Sequence, residues 1–205
     1  MKLFWSSRSP FVRKVMLVAY ETGLVDRIEQ VRTVVAPTKP NPEVMALNPL
    51  NKLPTLIRDD GTPLYDSRVI AEYLDGLSDR PKLFPSEAQA RIEALRLQAL
   101  GDGILDFLLL GLSERARPET QQSPELKAAL AVKFTTAFDA LEREAARLAA
   151  TPLTIGHIAI GCVGGYADFR YSDKNWRQGR PQLAAWHATF ATRPGYAETA
   201  HADVY

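Results

Sequence analysis

Apolar residues recur along this chain with two periods, and the change between them falls near residue 80. Before it, short apolar or alternating runs are interleaved with helical patterns; after it only the helical period persists. Residues 2–5, Lys-Leu-Phe-Trp, are short and aromatic and predict a buried strand. Ser9 and Pro10 then form a helix start, with a hydroxyl residue at the N-cap and proline at the first helical position. Val12, Val15, Met16, Ala19 and Tyr20 share one side of that helix, and Gly23 stops it. Residues 28–35 alternate apolar with polar, the period of a half-exposed strand. Residues 36–49 contain four prolines and predict a loop with at most a short helix over 43–47. Residues 53–58 and 63–65 predict two strands joined at Asp59-Asp60-Gly61, a hairpin turn. Residues 66–77 predict a helix carrying Val69, Ile70, Tyr73 and Leu74.

That order is β-α-β, a proline-rich connection, then β-β-α. The first unit is a crossover expected to be right-handed and parallel, and the second is a hairpin. The expected result over residues 1–78 is an α/β domain, a small mixed sheet with helices on its faces in the thioredoxin-like arrangement. Residues 79–85 read as a linker by composition. Residues 86–205 predict an all-α domain. A long helix over 87–112 carries Ile92, Leu95, Leu97, Leu100, Ile104, Phe107 and Leu108, and another runs from Pro124 to about 150. A small-residue-rich apolar helix over 154–170 is expected at the centre, and a last helix covers 181–192 with Leu183, Trp186 and Phe190. The tail to Tyr205 has little pattern.

Composition narrows the function more by exclusion than by indication. Net charge is +1 with basic and acidic residues interspersed, so no global field favours nucleic acid or an anionic membrane. The single cysteine, Cys162, excludes a disulfide framework or Cys-x-x-Cys site within one chain, and it reads as inert core. His157, His187 and His201 are scattered, so no metal is expected. The N-terminal residues lack the apolar core of a signal peptide, and no apolar run approaches a membrane span. A cytoplasmic protein is expected.

The chemistry concentrates in residues 48–67. Asp66-Ser67 stands before a helical pattern, a helix N-terminus whose free N–H groups suit an anion. Pro54 stands beside Leu53 where a strand begins, a position proline occupies at edges or strand starts. A backbone edge next to an anion site suits a small peptide-like ligand.

Ser9-Pro10-Phe11-Val12-Arg13-Lys14, Asn48-Pro49-Leu50-Asn51-Lys52-Leu53-Pro54-Thr55-Leu56, Asp66-Ser67-Arg68-Val69-Ile70-Ala71-Glu72-Tyr73-Leu74 and Gly101-Asp102-Gly103-Ile104-Leu105-Asp106 with Ala116-Arg117-Pro118 occur in this order. In these segments the chain resembles cytosolic-type glutathione transferases over nearly its whole length, in particular a bacterial subgroup with Ser-Pro-Phe-Val-Arg-Lys in the first turn. One departure stands out. The family's central C-terminal helix usually starts Ser/Thr-x-x-Asp, a capping box, whereas here Thr154 is followed at the third position by His157, which has no carboxylate to return.

The resemblance implies glutathione as co-substrate and a small, apolar electrophile as second substrate. A free thiol titrates near about 8.5, so the protein must acidify it. Ser9 suits this role, because its hydroxyl can cap the following helix with a lone pair and still donate its proton to the sulfur. Ser9 as a helix cap alone is the competing reading, and Ser6 and Ser7 remain alternatives for the sulfur contact. Arg8 and Arg13 are expected on the solvated surface. By resemblance the Leu53–Pro54 bond is cis and the Leu53 backbone pairs with the cysteinyl unit, with Phe11 nearby. Asp66 and Ser67 face the γ-glutamyl end, and Lys52 or Lys39 the glycyl carboxylate. Ile104, Phe107 and Leu108 are candidates to line a second-substrate pocket with Arg115 near its rim, although an apolar stripe at this spacing is more often core. Asp102 and Asp106, one helical turn apart, are expected on a polar face or a dimer contact. The resemblance also implies a homodimer with Arg68 and the 87–112 helix near its axis. Serine at the sulfur site argues against exchange through a mixed disulfide. The other class of function is a glutathione-binding or regulatory protein without turnover.

Overall fold

The computed structural model describes residues 1–36 and 38–203; Pro37, within the proline-rich loop, and Val204 and Tyr205, in the tail, lie outside the described residues. Two compact units are present, one made of residues 1–91 with the tail from residue 194, the other of residues 92–193. Composition alone groups 86–205 together. The division instead falls inside a helix, and the tail belongs with the first unit.

In the first unit, β1 (Lys2–Trp5) is central and short. It pairs in parallel with β2 (Glu29–Arg32) and antiparallel with β3 (Thr55–Ile57), which pairs antiparallel with β4 (Pro63–Leu64). The sheet order is β2-β1-β3-β4. The alternating pattern over 28–35 gives a strand of only four residues, because β1 offers four register positions, Lys2↔Glu29 through Trp5↔Arg32. Helix α1 (Pro10–Thr22) starts where expected, and Gly23 ends it with φ 72°, its N–H donating to the Ala19 and Tyr20 carbonyls. Helix α2 (Pro42–Met45) is a short turn capped by Asn41. Helix α3 (Ser67–Gly76) packs against α1. Leu3, Val15, Val18, Leu56, Ile70 and Leu74 are fully enclosed in this core. Each such side chain contributes on the order of 1.5–3 kcal/mol of burial free energy.

One buried carboxylate helps to hold the linker after α3 to the sheet unit. Asp75 accepts from the Leu83 N–H at 2.7 Å and the Phe84 N–H at 3.3 Å, and both apolar side chains are buried.

The second unit is all-helical. Helix α4 (Ala88–Arg115) enters it from residue 92, followed by α5 (Pro124–Ala150), α6 (Ile155–Arg170) and α7 (Pro181–Phe190). Ser123 caps α5 as Ser9 caps α1, with proline again at the first helical position. Helix α6 is central, as its small apolar sequence predicts: every residue from Ile155 to Ala167 is buried. Its glycines permit close approach, since a Cβ on Gly161 would lie 2.0 Å from the Phe190 ring of α7. The Phe134 and Phe138 rings stack at 4.4 Å on α5. Ile92, expected in the apolar stripe of α4, is instead 58% exposed.

The start of α6 corrects one expectation. His157 lacks a carboxylate, yet its Nδ1 accepts from the Thr154 N–H at 3.1 Å, so the imidazole closes the return bond of the capping box. Its Nε2 lies 3.2 Å from the Leu148 carbonyl, which it must donate to when Nδ1 accepts. Burial holds the His157 pKa below its ordinary value, in keeping with a neutral ring.

Candidate functional site

The sheet register gathers the candidate residues of the first unit at one end. β1 and β2 run in parallel, so the loops leaving Trp5 and Arg32 emerge together; the Thr33 N–H donates to the Trp5 carbonyl at 2.8 Å. β3 is antiparallel to β1 with Phe4 opposite Thr55, which sets the segment entering β3 at that same end. β4 reverses again, with Leu64 opposite Leu56, and delivers Tyr65, Asp66 and Ser67 there. Ser6, Ser7 and Ser9, the loop containing Lys39, the Lys52-Leu53-Pro54 segment and Asp66-Ser67 are therefore brought to one edge by topology. Residues far apart in sequence become neighbours in this way.

The serine loop is a tight turn. The Ser9 N–H donates to the Ser6 carbonyl at 3.2 Å, and the Ser6 hydroxyl accepts from the Arg8 N–H at 3.4 Å. Ser9 sits at the N-cap of α1, where its Oγ accepts from the Val12 N–H at 3.2 Å. The cap uses a lone pair and leaves the Ser9 hydroxyl proton for another acceptor. Ser7 differs: its hydroxyl donates to the Ala202 carbonyl at 2.8 Å. The N-terminal end of α1 adds a partial positive charge favourable to an anion. Phe11 is partly exposed on the first turn of α1, and the Lys14 ammonium lies 5.6 Å from its ring centre.

The Leu53–Pro54 peptide is cis, as the resemblance implied. The segment before it is organised by two buried polar side chains, Asn48 and Thr55, to which the sequence reading gave no role of their own. Asn48 donates to the Thr55 hydroxyl at 2.9 Å and to the Lys52 carbonyl at 3.2 Å, and its Oδ1 accepts from the Leu50 N–H at 3.1 Å. The Thr55 hydroxyl donates to the same Lys52 carbonyl at 2.9 Å. Asn48 and Thr55 are at most 1% exposed, so these bonds are shielded from water and fix the loop from inside. Asn51 adopts φ 51°, a conformation that asparagine tolerates better than most side chains. The signal was present in the sequence as asparagine and threonine flanking a Pro-rich turn, but no pattern names the Lys52 carbonyl to which both donate. Lys52 and Lys39 are exposed.

Asp66 caps α3, accepting from the Arg68 N–H at 2.9 Å, and its other oxygen lies 3.3 Å from the Arg68 guanidinium. Ser67, the first helical residue, is buried at 3% exposure. Its N–H is one of the four at a helix start that lack intrahelical partners.

Arg13 is not on the solvated surface. It is 5% exposed, with its guanidinium 4.1 Å from the Tyr196 ring centre and donating to the Tyr196 carbonyl at 2.9 Å. Folding of the tail onto α1 covers it. Asp102 and Asp106 do not share an exposed polar face either: Asp102 is buried and Asp106 is exposed. Cys162 is a buried free thiol. Among the described residues no cluster of three or more His, Cys, Asp or Glu side chains could hold a metal ion, and no helix is long and apolar enough to cross a membrane.

In the helical unit, Phe107, Leu108 and Arg115 line a cavity of about 370 Å³ together with Leu130, Phe134 and Tyr171. The volume lies within the usual range of small-ligand pockets. Ile104 is 2% exposed and is not among the lining residues. The Arg115 guanidinium stacks 4.1 Å from the Tyr171 ring centre and donates to the Arg170 carbonyl at 2.9 Å.

Comparison with known proteins bears on the family and the fold. Residues 8–77 match the family model of the glutathione S-transferase N-terminal domain, and residues 124–189 that of the C-terminal domain. A GST-like protein of Escherichia coli K12, YibF, is 32% identical over 201 residues, spanning 97% of this chain and 98% of that one. The chain belongs to the glutathione S-transferase family. Among solved structures, a glutathione transferase family member from Pseudomonas fluorescens Pf-5 with bound glutathione shares 39% identity and a TM-score of 0.93, over 97% of each chain. A glutathione S-transferase from Methylobacillus flagellatus KT with glutathione bound shares 34% identity and a TM-score of 0.87, over 98% of this chain and 99% of that one. The two-part fold is thus that of the glutathione S-transferases, a small mixed sheet domain followed by a helical one.

Proposed function

We propose that this chain binds glutathione at the sheet edge of its first unit and activates the thiol for attack on a small, apolar electrophile. The observation carrying this reading is the convergence, by register, of the serine loop, the cis Leu53–Pro54 segment and the α3 N-terminus at one end of the sheet. A peptide needs a backbone edge, and an anion needs free N–H groups. That relatives of 39% and 34% identity were solved with glutathione bound supports the same ligand here.

In this proposal Leu53 pairs through its backbone with the cysteinyl unit, Pro54 shapes the turn, and Phe11 flanks the thiol. Ser67 takes the γ-glutamyl carboxylate while Asp66 meets the amino group, and Lys52 or Lys39 takes the glycyl carboxylate. Ser9 donates its hydroxyl proton to the sulfur and, with the α1 N-terminus, holds it as thiolate. Ser9 is preferred over Ser7 because the Ser7 proton is directed to Ala202. Ser6 stays the alternative. No acid–base residue is required for this activation: the thiol proton leaves to solvent, and the thiolate is the nucleophile. Phe107, Leu108 and Arg115 are proposed for the second substrate, and Ile104 packs behind them. We further propose a cytoplasmic homodimer with a role in detoxification, with Arg68 and α4 near the two-fold axis.

Ultraviolet difference spectra of glutathione bound to the protein test the mechanism. A thiolate band is expected near neutral pH and should be lost in Ser9→Ala while calorimetry still shows binding. An unchanged band in Ser9→Ala would remove Ser9 and turn attention to Ser6→Ala. Binding without turnover across electrophiles would favour the non-catalytic reading.

A further inference from the structure

The tail, unremarkable in sequence, runs along α1 from its C-terminal end to the serine loop. Gly195, at φ 79°, lies flat on Tyr20, where a Cβ would come within 2.3 Å of the ring. One to two turns nearer the helix start, Arg13 donates to the Tyr196 carbonyl at 2.9 Å and to the Thr199 hydroxyl at 3.4 Å. At the start itself three contacts close on two adjacent residues. The Ser7 hydroxyl donates to the Ala202 carbonyl at 2.8 Å, His201 Nδ1 lies 2.9 Å from the Ser7 carbonyl, and Arg8 Nε lies 3.0 Å from an Asp203 carboxylate oxygen. A carbonyl only accepts, so His201 must carry its proton on Nδ1.

We propose that His201 and Asp203 are positioning residues for the sulfur-facing serine, and that the tail is a strap that sets the geometry of the 6–9 turn. The proposal rests on the reading of Ser9 given above. Ser9 is joined to the rest of the fold on one side by α1 and on the other by Ser7-Arg8. The first side is rigid. The second is a surface turn, held by its own weak contacts at 3.2–3.4 Å and by the strap. A hydroxyl that must point at a sulfur within hydrogen-bond reach loses much of its effect when its supporting turn wanders. The strap also has a chemical consequence. By accepting the Ser7 proton at Ala202, it removes a competing hydroxyl donor two residues from Ser9.

A chain ending at Ala200, and separately His201→Ala in the full chain, provide the test. The pH titration of the glutathione thiolate band in the complex reads the effect. The expected result is a thiol pKa raised by roughly 0.5–1 unit in both, about a three- to tenfold loss of thiolate below the pKa. Asn has an amide N–H near the position of the imidazole Nδ1, so His201→Asn should recover most of that loss. A merely stabilising tail would lower the melting temperature of all three and leave the thiol pKa unmoved, which would overturn the proposal. Hydrogen exchange at the Arg8 and Ser9 amides needs no ligand: faster exchange in the shortened chain is expected, and unchanged exchange would overturn the strap. If the intact protein bound no glutathione, the proposed function would fail, and the exchange measurement would still decide the strap.

Discussion

Helices α6 and α1 both start at a hydroxyl residue, and they use it in opposite ways. At the start of α6, Thr154 and His157 satisfy each other: the Thr154 N–H reaches Nδ1, and the Thr154 hydroxyl lies 2.9 Å from that nitrogen. The far side of the ring is occupied by Leu148 and Thr151, and the residue is buried. At the start of α1, Ser9 accepts one backbone N–H, is partly exposed, and keeps a proton to give. The first arrangement is closed and serves stability; the second leaves a donor at the positive end of a helix, the feature on which the proposed role of Ser9 rests. A cap residue alone therefore says little about function. What separates the two is whether the surrounding structure consumes all of its hydrogen-bonding capacity.

The largest expected effect that would sharpen this contrast is on catalysis. Ser9→Ala should lower kcat/KM for glutathione conjugation about a hundredfold, the size found when a single donor to a developing or bound anion is removed, while the loss of the cap costs on the order of 1 kcal/mol of stability. Steady-state kinetics and denaturant melts of the same variant separate the two. The reverse pattern is expected for His157→Ala. It should destabilise the protein by about 2 kcal/mol, because a buried cap and a buried carbonyl both lose their partner, with the pKa of bound glutathione unchanged. Loss of thiolate in that variant would break the comparison. Asn48→Ala comes next. About 1 kcal/mol or slightly more of stability should go with the loop bonds to Lys52 and Thr55, and KM for glutathione should rise more than kcat falls, since the loop rather than the sulfur contact is disturbed.

The smallest effect is in pH. Burial lowers the His157 pKa in the folded protein, whereas the unfolded chain titrates near the ordinary value of about 6.5. Below that pH the unfolded state takes up a proton that the folded state refuses, so stability is fully present above it and declines as pH falls toward the folded value. Urea midpoints measured between pH 7.5 and 5 should fall in the wild type. In His157→Asp, which restores a carboxylate to the capping box, the decline should be shallower. Parallel curves for the two proteins would take His157 out of the acid response.

Much of the architecture is written in local sequence. Ser-Pro pairs at 9–10 and 123–124 start α1 and α5 where they should, because cap and proline preferences act over two or three residues. The small-residue run at 154–170 forms the buried helix, and glycine at 161 leaves room for the neighbouring ring of Phe190, where a Cβ would clash. The residues proposed to face glutathione are legible through motif order rather than through pattern, and their convergence is a property of the strand register. His157 departs from expectation because the capping rule names a carboxylate, while what the N–H requires is any acceptor at that distance. Arg13 departs from it because its cover is the tail, 183 positions away in sequence.

By itself the sequence determined where helices begin and end, which residues are apolar enough to form a core, and that the chain has the motifs of a glutathione transferase. Those are short-range or compositional properties, set by φ/ψ preference, capping and hydrophobic period. The tertiary structure alone decided that Asn48 and Thr55 hold the cis-proline loop, that Ser7 gives its proton to Ala202 while Ser9 keeps its own, and that the tail lies on α1. In each case the partner is a backbone carbonyl or a remote side chain. Every residue has a carbonyl, so no sequence pattern marks which one will accept a bond; only the folded positions of the two groups do.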